Sequence, residues 1–244
     1  MKPIILIPAR LASTRLPNKP LADIAGQPMI VRVWQQAVAA GLGPVVVAAA
    51  EREIASAIES AGGRCVLTDP NLPSGTDRIH AALKAVDPEG AHDVVVNLQG
   101  DLPALDPAYV KSVVEVLGPT GADIATLAAE IDDPADYENP SVVKPVVVWD
   151  VTGKRGRALY FTRARAPSGD GPLFHHVGIY AFQRAALSRF VALPPSPLEK
   201  REKLEQLRAL EAGMSIAVAR VDSVPLSVDT PADLEKARRA LGHR

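Results

Sequence analysis

Short apolar segments alternate with amphipathic ones along the first half of the chain. The apolar segments span residues 3–7, 44–49, 64–67 and 93–98, are rich in valine and isoleucine, and lack a regular alternation with polar residues. This pattern is typical of strands that are buried on both faces of a sheet. The intervening segments, residues 28–40, 51–61, 76–86 and 107–117, have helical periodicity. The alternation predicts a parallel sheet built from right-handed crossover units.

The pattern changes after about residue 123. Longer extended segments follow at 123–131, 142–150, 157–164 and 175–183, and Pro145 predicts that the second is an edge or bulged strand. A helix is predicted at 198–212, a strand at 216–221 and a helix from residue 231. We therefore predict one α/β domain over residues 1–244, doubly wound and mainly parallel, with an embedded antiparallel insertion at about 123–192. The insertion has no second layer of its own, so we expect it to pair with its copy in a homodimer.

Composition narrows the class of protein. The 244 residues are 47% hydrophobic and 23% charged, which predicts a globular chain rather than a disordered one. A net charge of -1 argues against nucleic acid as a partner, and a single cysteine excludes an intrachain disulfide framework. No apolar run approaches the roughly 20 residues that cross a bilayer, so we expect a cytoplasmic protein with no membrane partner.

A basic loop follows the first predicted strand. Arg10, Arg15 and Lys19 lie in the sequence IPARLASTRLPNKPL, and no acidic residue occurs among the first 20 positions. Open parallel sheets bind ligands at the carboxyl ends of their strands. Guanidinium groups bind phosphate oxygens bidentately and lysine acts as a point charge, so the loop predicts a site for a phosphate chain. The alternative is a solvated basic loop. Neither G-x-G-x-x-G nor a Walker sequence occurs here, which argues against NAD.

A second loop, LTDPNLPSGTDRI, precedes a predicted helix. Ser74 and Asp77 form an S-x-x-D pattern that caps a helix. Gly75 would also let the backbone approach a ligand closely. Helix capping and nucleotide contact both remain open for this loop.

Two aspartates are candidates for a metal site. Asp101 follows the fourth strand and Gly100, at the sheet edge where the basic loop lies, and a carboxylate beside a triphosphate usually holds magnesium. The alternative role for Asp101 is a helix cap, but Asp106, which precedes a proline, already fits that role. Asp229 stands just before a predicted cap formed by Thr230. Spacing alone does not determine whether Asp229 joins Asp101.

These segments resemble the 3-deoxy-manno-octulosonate (Kdo) cytidylyltransferases, or CMP-Kdo synthetases, along nearly the whole chain. The resemblance rests on eight blocks in order: IPARLASTRLPNKPLADIAGQPMI, SGTDR, VVNLQGD, NPSVVK, ALYFTRA, HHVGIYAF, LEKREKLEQLRALEAG and VDTPADLEKAR. It implies a nucleotide-diphospho-sugar transferase-like fold and transfer of CMP from CTP to the anomeric hydroxyl of Kdo. It further implies release of pyrophosphate, a Mg²⁺ cofactor and a cytoplasmic homodimer that serves lipopolysaccharide synthesis.

The resemblance also implies roles for individual residues. The triphosphate would be held by Arg10, Arg15 and Lys19, magnesium by Asp101 and Asp229, and the nucleoside by Ser74, Gly75, Thr76 and Gln99. Of these, Arg10, Lys19, Asp101 and Asp229 would carry catalysis. The sugar acid would be held by Arg163, His176, Tyr180, Glu205 and Gln206. Without the resemblance, the residues themselves favour other roles: Arg163 and Tyr180 as strand-face residues, His176 as a structural histidine, and Glu205 with Gln206 as the solvated side of a helix. No strong candidate for a general base stands out.

The chain departs from the family pattern at a few positions. Leu102 follows Asp101 where glutamate is usual, and Pro73, Arg165 and His175 also differ from the usual residues. These departures concern sugar specificity more than reaction type. The alternatives are therefore a cytidylyltransferase for another sugar acid, either an 8-amino-dideoxy-octulosonate or a sialic acid, and a non-catalytic nucleotide-binding protein.

Overall fold

A computed structural model describes residues 1–242, and the chain divides into two compact units. The first unit comprises Met1–Lys111 and the C-terminal segment from Pro225, and the second is Ser112–Val224. The predicted extent of one domain over 1–244, with a dimerisation subdomain at about 123–192, stays a prediction. Residues 243 and 244 of that range lie outside the described residues.

The helices and strands follow one another in a largely alternating order. The strands are β1 Pro3–Ala9, β2 Asp23–Ile24, β3 Gln27–Pro28, β4 Val45–Ala49, β5 Arg64–Leu67, β6 Val94–Asn97, β7 Ile124–Glu130, β8 Lys144–Trp149, β9 Arg155–Thr162, β10 Phe174–Gln183 and β11 Ile216–Val221. The α-helices are α1 Met29–Ala39, α2 Arg52–Ser60, α3 Gly75–Val86, α4 Pro107–Thr120, α5 Arg184–Ala192, α6 Pro197–Glu202, α7 Leu207–Glu211 and α8 Pro231–Gly242.

The first unit contains a parallel sheet with a change of direction in its strand order. Its long strands lie in the order β5-β4-β1-β6, and all three pairs are parallel. The chain thus adds β4 and β5 on one side of β1 and then β6 on the other. Right-handed crossovers in this order place α1 and α2 on one face and α3 on the opposite face. The predicted doubly wound α/β class is confirmed, and the strand order reverses between β1 and β6.

The core of the first unit follows from the continuous apolar strands. In β1, the side chains of Ile4 to Ile7 are at most 1% exposed, as expected for a strand that is covered on both faces. A second cluster contains Ile24, Met29, Val228 and Leu234. This cluster packs the C-terminal segment against β2 and the start of α1, so it fixes the position of the residues around 229.

The second unit has mixed strand pairing. Its strands lie in the order β10-β7-β11-β9-β8, in which β7 and β11 are parallel and the other pairs are antiparallel. The terminal strand β8 shifts register between Val146 and Val147. The sequence-based expectation that Pro145 marks an edge or bulged strand is confirmed.

One predicted helix is wrong. The segment 198–212 forms two short helices, α6 and α7, instead of one. The break occurs at Lys203, whose φ of 57° is left-handed and ends α6. The leucine stripe of this segment spans the break, so periodicity alone did not reveal it. Residues 203–206 are consequently an irregular connection, and Glu205 and Gln206 lie in it. Helix α5 and the short β2–β3 hairpin were also missed.

Candidate active site

A polar cleft of about 390 Å³ lies in the first unit, at the carboxyl ends of β1 and β6. These are the two strands between which the strand order reverses, the place where doubly wound sheets bind their ligands. The cleft is lined by nine residues predicted from the sequence: Arg10, Arg15, Lys19, Ser74, Gly75, Gln99, Gly100, Asp101 and Asp229. The fold therefore brings the basic loop, the SGTDR loop and both aspartates to one site.

The basic loop is anchored at both ends. Near its start, the backbone amide of Leu11 donates a hydrogen bond of 2.9 Å to the carboxylate of Glu51, which precedes α2. At its end, Lys19 opens a short 3₁₀ turn that follows Asn18, a residue with a left-handed φ of 56°. These contacts hold the loop across the end of β1, with Arg10 next to the last strand residue.

The turn that follows β6 favours glycine at position 100. A Cβ at Gly100 would lie 3.0 Å from the carbonyl oxygen of Pro8 and 3.2 Å from Cδ1 of Ile30. The turn after β6 thus lies directly against the end of β1, and this close approach brings Asp101 beside the basic loop. At the other wall, a Cβ at Gly75 would lie 3.2 Å from Cγ of Pro8.

Lys19 lies between the two aspartates. Its Nζ is 3.0 Å from a carboxylate oxygen of Asp101 and 3.0 Å from one of Asp229, and Arg15 is 3.2 Å from the same Asp229 oxygen. The backbone amide of Val228 donates to the carbonyl of Asp101 at 3.0 Å, which fixes Asp229 next to it. Burial lowers the pKa of Lys19, but Asp101 and Asp229 outweigh burial and the net pKa is raised. Lys19 is therefore a permanent cation here.

The two carboxylates suit a magnesium ion. Both already converge on one ammonium group, so their oxygens can face a common cation. Mg²⁺ is typically held by one or two carboxylates together with substrate phosphates and water. Within residues 1–242, no cluster of three or more His, Cys, Asp or Glu side chains forms a metal site. Any further ligands would then come from the bound triphosphate and from water.

The SGTDR loop both caps α3 and lines the cleft. Ser74 caps α3, because its Oγ accepts from the amide of Asp77 at 3.1 Å and donates to the Asp77 carboxylate at 2.6 Å. Ser74 and Gly75 also line the cleft. Thr76 does not line it, since its side chain is buried and accepts from Nδ2 of Asn97 at 3.4 Å. Gln99 lines the cleft and donates to Oδ1 of Asn97 at 3.4 Å.

Sequence reasoning missed Arg78, a cleft residue that is 2% exposed. Its guanidinium donates to Oγ1 of Thr68 at 2.6 Å and to the carbonyls of Asp69 and Pro70 at 3.1 and 3.4 Å. Burial lowers its pKa and Glu51 partly opposes that effect. Arg78 thus ties the loop after β5 to α3. Arg78 is four residues after Ser74, about one helical turn along α3, and this spacing could have placed it on the same side of the helix as the loop.

The predicted sugar-acid residues all lie in the second unit. Arg163 follows β9, and its guanidinium donates to three carbonyl oxygens: Nε to Glu202 at 2.8 Å, one terminal nitrogen to Pro140 at 2.8 Å and the other to Lys203 at 3.5 Å. The Glu202 carboxylate accepts the backbone amide of Arg163 at 3.0 Å and the hydroxyl of Thr162 at 2.8 Å. No carboxylate of the described residues forms an ion pair with the guanidinium. Two of its five N–H groups, one on each terminal nitrogen, remain for a ligand.

His176 and Tyr180 form an aromatic pair on β10. Their ring centroids are 5.5 Å apart, and the ring of Phe161 lies 5.1 Å from that of His176. Burial, assisted by His175, lowers the pKa of His176 to about 3. Burial and then the charge of Glu205 raise the pKa of Tyr180. Both side chains are therefore neutral near pH 7.

Gln206 has an unused hydrogen-bond donor. The residue is 6% exposed, and its Nε2 has no hydrogen-bond partner among residues 1–242. A buried amide without a partner costs about 1–3 kcal/mol, and the Nε2 donor of Gln206 is available to a ligand. Gln206 is therefore not on the solvated side of a helix, the alternative that the sequence allowed.

Comparison with known proteins defines the class first. A model of the family described as cytidylyltransferase matches residues 4–216.

Among the helices of the described part of the chain, none combines the length and apolar character that crossing a membrane requires.

The particular family follows from individual relatives. The chain is 65% identical over 242 residues to the 3-deoxy-manno-octulosonate cytidylyltransferase of Parvibaculum lavamentivorans, covering 99% of this chain and 93% of that protein. It is 64% identical to the same-named protein of Methylobacterium radiotolerans, covering 99% and 98%. The structure of CMP:2-keto-3-deoxy-manno-octonic acid synthetase complexed with CTP superposes with a TM-score of 0.91 at 37% identity, covering 100% and 99%. The chain belongs to the 3-deoxy-manno-octulosonate cytidylyltransferase family of nucleotidyltransferases, so the resemblance is confirmed.

Proposed function

We propose that this chain transfers CMP from CTP to the anomeric hydroxyl of 3-deoxy-manno-octulosonate, releasing pyrophosphate and supplying CMP-Kdo for lipopolysaccharide synthesis. The family supports the reaction, and Arg163 carries the argument for a sugar acid as acceptor. Its guanidinium is oriented by neutral carbonyls, lacks an ion-pair partner among the described residues and keeps two N–H groups in reserve. Such a group is suited to a bidentate bond with a carboxylate.

The first unit serves the nucleotide. Arg10, Arg15 and Lys19 neutralise the triphosphate, and the backbone at Ser74 and Gly75, with Gln99, faces the nucleoside. Thr76 supports this wall from behind through Asn97. As the anomeric oxygen forms its bond to the α-phosphorus, the bond from that phosphorus to the bridging oxygen breaks, and pyrophosphate leaves with the electron pair. Catalysis is mainly positioning and neutralisation of charge in this type of transfer.

Asp101 and Asp229 are the residues that would hold Mg²⁺. When bound, the ion supplies charge neutralisation at the phosphates. The acceptor's hydroxyl proton passes to solvent water in the transfer. His176 is a poor candidate to take it, because its pKa is lowered to about 3. General-base catalysis by a histidine is therefore not part of this proposal.

The second unit serves the sugar acid. Arg163 orients the carboxylate, while His176, Tyr180, Glu205 and Gln206 contact hydroxyl groups. The buried Nε2 of Gln206 is a donor that awaits an acceptor oxygen. A homodimer formed through the second unit and a cytoplasmic location, where CTP is available, complete the proposal.

A pyrophosphate-release assay tests the function. The protein is supplied with CTP, Mg²⁺ and, in separate reactions, Kdo, 8-amino-3,8-dideoxy-octulosonate and N-acetylneuraminic acid. The proposal requires the highest kcat/KM for Kdo. A preference for either other acid would assign the chain to that acid, and the absence of release with all three would favour a non-catalytic nucleotide-binding protein.

A further inference from the structure

The strand pair that carries His176 has an unusual register. In the β7–β10 pair, Val177 lies opposite Leu127 and Ala181 lies opposite Ala125. Thr126 is therefore the single residue opposite three residues, 178–180, of β10. His176 precedes this irregularity and Tyr180 lies within it. Bulges of this kind often redirect side chains near active sites.

The hydroxyl of Thr126 occupies the irregularity. The residue is fully buried, and its Oγ1 lies 2.9 Å from the carbonyl oxygen of Ile179, 3.2 Å from that of Val177 and 2.9 Å from Nε2 of His176. A hydroxyl has one proton to donate, and a carbonyl can only accept. If Thr126 donates this proton to a carbonyl, of which that of Ile179 is the nearer, its oxygen is left as the acceptor for His176. In that arrangement Nε2 of His176 carries the ring proton.

The opposite nitrogen of the ring is left as an acceptor. Nδ1 of His176 has no hydrogen bond to any residue in 1–242, and a neutral imidazole with a proton on Nε2 has a lone pair on Nδ1. The low pKa of the ring keeps it neutral near pH 7. A lone pair recognises a hydroxyl donor and repels a carboxylate.

We propose that Thr126 is a positioning residue that fixes the Nε2–H tautomer of His176, so that Nδ1 accepts a hydrogen bond from a hydroxyl group of the sugar acid. The assignment of the sugar rests on the proposed function, whereas the tautomer does not. Recognition by a fixed acceptor discriminates against analogues in which the contacted hydroxyl is removed or methylated, because the lone pair then has no donor in the occupied site.

Nitrogen NMR of the intact protein tests the tautomer without turnover. Histidine is labelled with ¹⁵N, and the His176 signals are identified by their loss in His176→Gln. The expected pattern is a protonated-type shift at Nε2 and an unprotonated-type shift at Nδ1 near pH 7. A protonated Nδ1 in the wild-type protein would overturn the inference. Because this result needs no substrate, it stands or falls separately from the proposed function.

The acceptor role is tested by adding Kdo in the presence of CTP and a chelator that prevents reaction. The Nδ1 signal is expected to move in the direction of hydrogen-bond acceptance, and saturation with Kdo without such a movement would refute that role. Thr126→Val should raise the Michaelis constant for Kdo about five- to 150-fold, the equivalent of one lost buried hydrogen bond, with that for CTP unchanged. Thr126→Ser, which keeps the hydroxyl, should restore both the wild-type constant and the tautomer. Failure of serine to restore them would contradict the positioning role.

Discussion

Replacing Arg163 by lysine tests the sugar-acid site most sharply. The guanidinium makes three bonds to carbonyl oxygens of residues 140, 202 and 203 and keeps one N–H on each terminal nitrogen. Lysine retains the positive charge but has a single nitrogen, so it cannot hold three separated carbonyls and also present two parallel donors. The substitution therefore changes geometry while leaving charge unchanged.

The expected increase in the Michaelis constant for Kdo follows from the hydrogen bonds that Arg163→Lys removes. At least one charge-assisted hydrogen bond to the sugar carboxylate disappears, which corresponds to about 1.5–3 kcal/mol. This energy is equivalent to roughly a ten- to 150-fold increase in the Michaelis constant for Kdo. We also expect a lower kcat, because the carboxylate no longer orients the adjacent anomeric hydroxyl. The affinity for CTP should be nearly unchanged, since the cleft that contains the basic loop belongs to the first unit.

The assay combines steady-state pyrophosphate release with calorimetric titration of CTP. Arg157→Lys is the matched control, because Arg157 is an exposed residue of β9, the strand that Arg163 follows, and its side chain makes no hydrogen bond or ion pair within residues 1–242. The control should retain both constants. If Arg163→Lys weakened CTP binding and left the Kdo constant unchanged, Arg163 would belong to the triphosphate site and the assignment of the second unit to the sugar acid would be wrong.

Three further predictions concern charge. Lys19→Ala should lower kcat about 100-fold or more, because the ammonium group serves the departing pyrophosphate. Calorimetry should find the affinity for Kdo unchanged. An equal loss of affinity for CTP and for Kdo would contradict that role. Asp101→Asn and Asp229→Asn should each lower turnover by about 100-fold or more with a melting temperature within a few degrees of wild type, since partly exposed loop carboxylates contribute little to packing; near wild-type activity would remove that residue from the metal site. His176 has a pKa of about 3 in the fold against an ordinary 6.5, so the unfolded chain binds the extra proton and stability is lost as the pH falls below 6.5. Urea unfolding of His176→Gln should therefore depend less steeply on pH than that of wild type, by up to about 1.4 kcal/mol per pH unit, and identical slopes would refute the buried neutral state.

The fold of the first unit could be predicted because its signals are local. Continuous apolar segments identified the buried strands, and Ser74 and Thr230 marked helix starts whose caps form as expected. The rule that parallel sheets bind ligands at their carboxyl edge then placed Arg10 and Asp101 together. The spacing of residues could not predict that Asp229 lies in the same cleft. Asp229 is held there by the backbone hydrogen bond from Val228 to Asp101, which joins residues far apart in the chain.

The second unit was less predictable because its features depend on contacts between residues that are far apart in the chain. A left-handed residue at Lys203 ends α6, yet lysine carries no sequence signal for this conformation. The register irregularity opposite Thr126 depends on the pairing of β7 with β10, which no local pattern specifies. Consequently, His176 and Gln206 could be assigned to the site only through the family resemblance. The hydrogen bond that orients His176 and the unpaired donor of Gln206 depend on the three-dimensional structure.

The central claim is that CMP is transferred intact from CTP to Kdo, and phosphorus NMR of the reaction mixture tests it most directly. With the protein, CTP, Mg²⁺ and Kdo, the account predicts one new phosphodiester signal, coupled to the sugar acid, and one equivalent of pyrophosphate for each CTP consumed. No such products should form when Kdo is omitted. Formation of CDP and orthophosphate, or release of pyrophosphate with free CMP and no phosphodiester, would contradict the account.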